Sequence, residues 1–204
     1  MALAKAITST PRGEEQTSER ILNAAAGCFA GAGYAATSIR DIARAVGVTV
    51  GAIYVHFPSK SRLLAAVYEE GVRRIGEAVD ATVRETAGPW ARLEAVASAH
   101  LKALLGNAGF ARVIVRVMPS DVPEAAGDLR RLRDGYEARF TQLIDALDLA
   151  EGVDRRLLRL QLLGALNATQ SWYRRGAGRV DTHEIARQFV STLRAGAAAR
   201  GKKR

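Results

Sequence analysis

The sequence contains one cysteine, Cys28, among 204 residues, and aromatic residues make up only 6% of it. A single cysteine excludes an intramolecular disulfide and any metal site built from several cysteines, and it is typical of a reducing compartment. The scarcity of aromatic residues, beside abundant Ala, Leu and Arg, favours helices packed through small side chains over sheets. Cys28 falls on the apolar face of the first predicted helix, so we expect a small core residue rather than a reactive thiol.

The sequence also lacks any apolar run long enough to cross a membrane, and its N-terminus lacks the apolar core of a signal peptide. We therefore expect a soluble, cytoplasmic protein. Motifs for nucleophilic, phosphate-binding, metalloprotease or dinucleotide chemistry are missing as well. The three histidines, His56, His100 and His183, lie far apart in sequence. These absences predict no enzyme, no cofactor and no metal site, although a helical enzyme assembled in three dimensions stays open as an alternative.

Acidic residues are outnumbered, with 21 Asp and Glu against 30 Lys and Arg, for a net charge of +9. An excess of positive charge points to an anionic partner such as nucleic acid or a phosphorylated ligand. The net charge is +3 over residues 1–62 and +6 over the remainder. Because the charge is spread along the chain, it supports DNA binding only weakly.

Apolar residues recur with helical spacing along most of the chain, and no alternating strand pattern interrupts them. The pattern predicts an all-α protein of about nine helices. Residues 1–16 have no such period and are predicted to form a flexible arm. Glycine and proline divide the rest into helices predicted at about 18–31, 38–46, 49–56, 59–86, 90–105, 110–117, 123–147, 154–175 and 182–198.

The second and third predicted helices are short and are separated by the turn Val46-Gly47-Val48. Ser38 with Asp41 three residues later forms a possible capping box, and Gly47 can end the helix in a left-handed conformation. Thr49 can cap the third helix, which Pro58 prevents from continuing. This is the helix-turn-helix pattern, in which the second helix is free to enter a major groove.

Residues 18–64 contain the elements ERILNAA, F-A-x-x-G-Y, T-S-I-R-D-I-A, A-x-G-V and G-A-I-Y-x-H-F-x-S-K-x-x-L-L in order. This stretch resembles the N-terminal DNA-binding domain of TetR-family transcriptional regulators. The resemblance implies a helix-turn-helix domain over 17–62 and a regulatory domain for ligand binding and dimerisation over 63–204. It also implies a DNA-binding repressor released from a palindromic operator by a small molecule. A ligand-independent architectural DNA-binding protein is the alternative.

Ile53 and Phe57, four residues apart, are predicted to anchor the third helix. The resemblance implies that Tyr54, His56 and Lys60 contact the DNA backbone, although Tyr54 and His56 could instead be structural. Further candidate DNA-binding residues lie at the starts of the two short helices and on the outer face of the third: Thr37, Ser38, Arg40, Thr49, Val50, Gly51 and Ala52.

The residues predicted to face a duplex carry few hydrogen-bonding side chains, because Val50, Ala52 and Val55 offer only methyl groups. Family members often have Lys or another polar residue in place of Val50. We therefore expect this helix to read thymine methyls and groove shape, while Arg40 makes a bidentate contact to guanine. The alternative for Arg40 is an ion pair with a neighbouring acidic residue in solvent.

The last two predicted helices carry more apolar residues than one buried face requires, which suggests a four-helix seam between two subunits. TetR-family proteins dimerise in this way, so a homodimer is expected, although both helices could be wholly interior. The candidate interface residues are Leu160, Leu163, Gly164, Asn167, Ala168, Ile185, Phe189 and Val190.

The segment GALNATQSWYRRGAGRVDTHEIARQFVSTLRAG is similar to the C-terminal segment of family members that respond to acyl-CoA or other lipid-derived ligands. Candidate ligand contacts are Trp90, His100, Phe110, Arg112, Arg116, Met118, Tyr136, Asn167, Gln170, Trp172 and Tyr173, each of which could equally be a core or surface residue. An anionic head group would then meet arginines among Arg112, Arg116, Arg174 and Arg175.

Overall fold

The computed structural model describes residues 11–106, 108–174 and 180–197, and over these ranges the chain is helical with no extended strand. The nine α-helices are α1 (Pro11–Ala32), α2 (Ile39–Val46), α3 (Val50–His56), α4 (Lys60–Glu85), α5 (Pro89–Gly106), α6 (Ala108–Arg116), α7 (Ala126–Asp145), α8 (Arg155–Trp172) and α9 (Thr182–Ala197). Two single-turn 3₁₀ helices, Pro119–Asp121 and Pro123–Ala125, join α6 to α7. The predicted all-α class is confirmed.

Helix α1 begins earlier than the apolar period indicates. Residues 11–16, which we predicted to belong to a flexible arm, form its first turns, while residues 1–10 lie outside the described part of the chain. Residues 13–16 are exposed, so they leave no apolar period for sequence analysis to detect.

The ends of α2 and α3 follow from local chemistry. Ser38 Oγ accepts a hydrogen bond from the Asp41 backbone N–H, and the Asp41 carboxylate accepts one from the Ser38 N–H, which completes the predicted capping box. Gly47 ends α2 at φ 76°, a conformation that a side chain would strain. Thr49 Oγ1 accepts the Ala52 N–H and caps α3.

One apolar cluster holds α1, α2 and α3 together and continues into α4 and α6. Ile21, Ile42 and Ile53 are fully buried in it, and Tyr68 and Val113 extend it beyond the helix-turn-helix. Gly109 of α6 faces the backbone of α1, where an added Cβ would lie in van der Waals contact, 3.5 Å from the Ala26 carbonyl carbon. The helix-turn-helix therefore shares its core with the region after residue 62, and the predicted boundary there stays a prediction.

A second apolar cluster forms the core of the remaining helices, with α5 packed against α4, α7, α8 and α9. Arg139 of α7 donates two hydrogen bonds to the Asp80 carboxylate of α4, at 2.8 and 3.0 Å, and so fixes these helices side by side. None of the helices over the described ranges is both long and apolar enough to traverse a bilayer.

Candidate DNA-binding surface and effector cavity

Helix α3 is held from behind by two apolar side chains. Ile53 is fully buried and Phe57 is 9% exposed, as the four-residue spacing predicts. Arg20 of α1 donates a hydrogen bond of 2.8 Å to the Val46 carbonyl at the end of α2, which satisfies a carbonyl that the helix leaves unpaired. The position of α3 is therefore fixed by the core on one side and by α2 on the other.

The opposite face of α3 is open. Val55 is 82% exposed and Tyr54 is 47% exposed, while Thr49 and Gly51 at its start are also exposed. Ala52 and His56 are half-buried. Val50 is half-buried too and packs against the core, so our expectation of Val50 as a freely exposed reader is wrong in part. Val50 is the first residue of α3, and its side chain lies partly against the core and partly at the surface.

Thr37 does not lie on this surface, contrary to our prediction. It is 3% exposed, and its hydroxyl donates to the Gly33 carbonyl at 2.7 Å, with the Cys28 carbonyl at 3.2 Å. The Thr37 hydroxyl thus ties the segment before α2 back to α1 and to the turn that follows it. We therefore withdraw Thr37 as a phosphate contact.

Arg40 is exposed on α2 and makes no hydrogen bond or ion pair with any residue that the structure describes. Its acidic neighbour Asp41 is engaged elsewhere: Ser38 donates to it, and Arg44 lies 3.3 Å away. The Ser38 hydrogen bonds, followed by Arg44, hold the pKa of Asp41 below its ordinary value. The alternative in which Arg40 pairs with Asp41 is thus not realised, and the guanidinium stays available.

Lys60 lies at the start of α4, beside the loop that follows α1. Its Nζ is 4.3 Å from the centre of the Tyr34 ring and 3.4 Å from the Ala35 carbonyl oxygen. Partial burial lowers the pKa of Lys60 and raises that of Tyr34. The ammonium is therefore held in place by the protein itself, and its contact with a phosphate remains a prediction.

A small cavity lies among α4, α5, α6, α7 and α8. The volume that a water-sized sphere can reach inside it is about 40 Å³. Apolar side chains make up most of its wall, and the polar ones are concentrated on α5, α7 and α8. The lining residues are Tyr68, Val72, Ile75, His100, Leu104, Ile114, Val115, Arg133, Tyr136, Glu137, Leu163 and Asn167.

The polar groups of the cavity are centred on His100, which is 2% exposed. Its Nδ1 lies 2.5 Å from the Tyr136 hydroxyl oxygen, and its Nε2 has no hydrogen-bond partner among the residues that the structure describes. Burial lowers the pKa of His100 to about 4, and the interaction with the Asn167 side chain opposes this shift. Burial also raises the pKa of Tyr136. Both groups are therefore neutral near pH 7.

Of the residues that we predicted to contact a ligand, the cavity brings together His100, Tyr136 and Asn167. Phe110 is buried beneath the Arg74 guanidinium, 4.4 Å from its ring centre, and Gln170 donates to the Leu104 carbonyl at 3.5 Å. Neither lines the cavity. The other candidates lie outside the cavity.

Arg112, Arg116 and Arg174 are exposed, so they do not serve the cavity as anion contacts, and Arg175 lies outside the described residues. Helix α6 turns Arg112 and Arg116 to solvent, and Arg174 follows the end of α8. Met118 and Trp172 are 43% and 47% exposed. Trp90 packs on the second core cluster beneath Arg194, and Tyr173 lines a separate surface depression with Lys102 and His183.

The cavity residues that sequence analysis missed are mainly apolar, together with Arg133 and Glu137. Val72 and Ile75 lie on the inner side of α4, but an inward position does not reveal whether a side chain meets another side chain or a void. Arg133 donates to the Met118 sulfur at 3.8 and 3.9 Å and also acts on the Tyr68 hydroxyl, whose pKa it lowers against the effect of burial. Glu137 lies 3.5 Å from Arg159. No sequence signal distinguished Arg133 from the other arginines of α7.

The outward face of α8 carries an unpartnered stripe of apolar and small residues, in which Leu157 is 61% and Leu160 45% exposed. Gly164, Ala168 and Trp172 continue it along the helix. Three residues predicted for a subunit interface, Leu163, Ile185 and Val190, are instead buried in the core of their own chain, because they lie on the inward faces of α8 and α9. Asn167 lines the cavity, and Phe189 is half-buried.

Residues 21–67 match the family of bacterial regulatory proteins of the tetR type, and residues 86–197 match the tetracyclin repressor-like C-terminal domain. The fatty acid metabolism regulator protein of Bacillus subtilis (strain 168) is 27% identical over 154 residues, which cover 74% of this chain and 79% of that protein.

Two solved structures extend the likeness over most of the chain. The superantigen PfiT has 30% sequence identity and a TM-score of 0.72, with 90% of this chain and 97% of that chain covered. The TetR family transcriptional regulator PfmR from Thermus thermophilus has 28% identity and a TM-score of 0.71, with 85% and 96% covered.

Proposed function

Because the chain belongs to the TetR family of bacterial regulatory proteins, we propose that it is a homodimeric repressor that a small molecule releases from a palindromic operator. That it is a DNA-binding regulator of transcription follows from the family itself. The operator geometry, the effector and its site are the parts that we add. The proposed operator contact rests on one observation: buried Ile53 anchors α3, and the helix presents Val55, which is 82% exposed, to solvent.

The proposed DNA contacts lie on one surface formed by α2, α3 and the start of α4. Arg40 supplies the hydrogen bonds to a base edge, and Val55 and Ala52 contact thymine methyls. Ser38, Thr49, Tyr54, His56 and Lys60 contact the phosphates, which set register and affinity rather than sequence choice. Gly51 lets the backbone of α3 come close to the duplex.

We assign the subunit interface to the outward stripe of α8, which consists of Leu157, Leu160, Gly164, Ala168 and Trp172. An exposed apolar stripe on a soluble protein needs cover, and two-fold packing of this stripe with its copy provides it. Gly164 and Ala168 allow the helices to approach closely. A two-fold dimer would place its two α3 helices about 34–36 Å apart, which is the distance between successive major grooves on one face of the duplex.

Coupling between effector and DNA would run through α4, whose Tyr68, Val72 and Ile75 form one wall of the cavity and whose first turn follows α3. A volume of about 40 Å³ holds only a few water molecules. A larger effector must therefore move a wall. α4 packs closely on α6 at Gly71, where an added Cβ would lie 3.2 Å from Phe110 Cβ and 2.7 Å from Ile114 Cδ1. Displacement of α4 would alter the spacing of the two DNA-binding surfaces.

For the effector we propose a lipid-derived molecule, with acyl-CoA as the leading candidate. The cavity wall supports this choice, because Ile75, Leu104, Ile114, Val115 and Leu163 offer apolar contacts. The relative from Bacillus subtilis is a regulator of fatty acid metabolism, which agrees with it. Arg133, rather than the exposed Arg112 and Arg116, is the cavity's cation for an anionic group.

The test begins with protein–DNA crosslinking across the genome of the source organism, followed by gel retardation of the recovered sites with purified protein. We expect a palindrome, and we expect acyl-CoA to free it. Val55→Glu, which places a negative charge on the exposed face of α3, is the matched DNA-binding-deficient control. Retardation that no metabolite alters would contradict the switch and favour the architectural alternative. A site without two-fold symmetry would contradict the proposed dimer geometry.

A further inference from the structure

His100 is surrounded by aromatic groups on one side and by the cavity on the other. Its ring centre lies 5.8 Å from that of Phe140, edge to face, and 5.8 Å from that of Tyr136. Its only hydrogen bond with any described residue joins Nδ1 to the Tyr136 hydroxyl. Nε2 is thus a buried polar atom without a partner, in a residue that lines a void.

The hydrogen-bond pattern decides which nitrogen carries the proton. If the Tyr136 hydroxyl donates to Nδ1, the neutral imidazole carries its hydrogen on Nε2, and one donor is left without a partner. The reverse arrangement would leave both the Tyr136 hydroxyl hydrogen and the Nε2 lone pair without partners. Buried polar groups are seldom unpaired, so the first arrangement is favoured. Nε2 is therefore a donor.

A buried donor that lacks an acceptor is a costly feature unless a ligand supplies one. The Asn167 side chain is near enough to the imidazole to raise the pKa of His100, but it does not lie within hydrogen-bonding geometry of Nε2. Glu137 and Asn167 also line the cavity and carry acceptors, but Nε2 makes no hydrogen bond to either. The side chains of Ile75, Leu104 and Leu163 have no acceptor. An oxygen of the molecule that fills the cavity can accept a hydrogen bond from Nε2.

We propose that His100 Nε2 donates a hydrogen bond to a carbonyl oxygen of the effector, with Tyr136 holding the imidazole in the required tautomer. This inference rests on the proposed effector-binding function and names the group by which the cavity selects its ligand. The hydrocarbon part of the ligand lies against Ile75, Ile114 and Leu163. A molecule of the same shape that lacks the carbonyl fills the same space but leaves Nε2 unpaired, so the cavity discriminates against it.

The test compares a matched pair of ligands by calorimetric titration of the purified full-length protein. Decanoyl-CoA carries a thioester carbonyl, and S-decyl-CoA is the thioether without it; butanoyl-CoA and S-butyl-CoA form a second pair for a shorter chain. We expect the wild type to bind a thioester roughly tenfold more tightly than its thioether. Free decanoate, compared with decane, distinguishes a carboxylate source of the same oxygen from a thioester source.

Three substitutions assign the preference to this histidine. His100→Leu should abolish the difference by weakening thioester binding while thioether binding changes little. His100→Gln, which retains an N–H near the position of Nε2, should restore part of it. Tyr136→Phe should reduce the preference several-fold because the tautomer is no longer fixed. Thr169→Val is the control: Thr169 is also fully buried and polar, but its hydroxyl bonds to the Leu166 carbonyl away from the cavity.

A thermal melt of each variant shows which are folded, and His100→Gln and Tyr136→Phe give the answer if His100→Leu is not. If the variants prefer the thioester over the thioether as strongly as the wild type does, the proposal is wrong and His100 has only a structural role beside Asn167. A wild type that binds neither carbonyl ligand better than its analogue also overturns it. Gel retardation in parallel separates this failure from that of the proposed function. If a ligand releases the DNA equally well from the wild type and from the His100 variants, the proposed repressor function stands and the proposed carbonyl contact is wrong.

Discussion

The guanidinium of Arg62 lies 2.9 Å from the carboxylate of Asp128, and this ion pair joins the first turn of α4 to the first turn of α7. Because α4 directly follows α3, the pair connects the DNA-binding surface to a helix that also lines the cavity. The second oxygen of Asp128 accepts a hydrogen bond from Arg131, which lies on α7 itself. One carboxylate thus receives an arginine from each side of the junction.

Arg62→Ala should weaken the coupling between effector and DNA with little effect on folding. The Arg62 side chain is 64% exposed, so we expect the free energy of unfolding to change by less than about 1 kcal/mol. The ratio of operator affinities without and with effector should fall by a few-fold. Fluorescence anisotropy of labelled operator measures both affinities. Arg131→Ala removes the partner within α7 and should leave that ratio unchanged; equal effects of both substitutions would argue against the link.

Arg40→Ala should lower affinity for the operator by about 1–3 kcal/mol while binding to unrelated duplexes changes much less, because one bidentate base contact is lost. Arg40→Lys keeps the charge but removes the planar pair of donors, so it should recover non-specific binding and little specificity. Anisotropy titrations with operator and scrambled duplexes at the same salt concentration test this. A uniform loss on every sequence would instead make Arg40 a phosphate contact.

Ile53 and Val55 lie on opposite faces of α3 and should respond differently to the same kind of substitution. Ile53→Ala leaves a cavity in the core and should reduce the free energy of unfolding by about 2–5 kcal/mol. Val55→Ala should change it by no more than about 0.5 kcal/mol yet weaken operator binding, since Val55 is exposed and proposed to contact a thymine methyl. Denaturant titration and anisotropy are the paired measurements. Loss of stability in Val55→Ala would contradict its assigned position.

Leu160→Glu should dissociate the proposed dimer without unfolding the subunit, because Leu160 is 45% exposed and lies on the outward stripe of α8. Sedimentation velocity at micromolar concentration should show a monomer with undiminished helical circular dichroism. Val55→Glu adds the same charge to an exposed apolar site on α3 and should remain dimeric. A Leu160→Glu protein that sediments as a dimer would move the interface away from α8.

Acid should destabilise the protein through His100. Its pKa in the folded state is about 4, below the ordinary value of 6.5, so the unfolded chain binds the proton more readily between these values. Stability is then fully present above about pH 6.5 and is lost as the pH falls towards 4. We expect this group to account for a loss of about 2 kcal/mol between pH 7 and pH 5.

Denaturant titrations of wild type and His100→Gln at the two pH values measure that loss, which the variant should not show. Tyr136, Arg133 and Glu137 line the same cavity in both proteins, so their contributions cancel in the comparison. Equal pH dependence of the two proteins would mean that His100 gains a proton without opposition. The imidazole would then be hydrated despite its burial.

The sequence by itself determined the helices and most of their ends, because those features depend on groups a few residues apart. The Ser38–Asp41 capping box, the left-handed Gly47 and the Thr49 cap form from local side chains and backbone, so spacing alone predicts them. The anchoring of α3 by Ile53 and Phe57 follows from helical periodicity in the same way. The sequence missed the start of α1, whose first turns present no apolar face, and it placed the start of α7 and the end of α8 about three residues too far out.

The tertiary structure decided what depends on partners distant in sequence. Thr37 turns inward, where its hydroxyl bonds to the Gly33 and Cys28 carbonyls. Helix α8 is apolar on several sides, so only its packing against neighbouring helices places Leu163 in the core and leaves Leu160 exposed. The cavity is likewise formed by five helices. Arg133 lines it, whereas Arg112 and Arg116 are exposed to solvent. Local periodicity gives the direction of a side chain from its own helix, but not whether another helix, a void or water lies there.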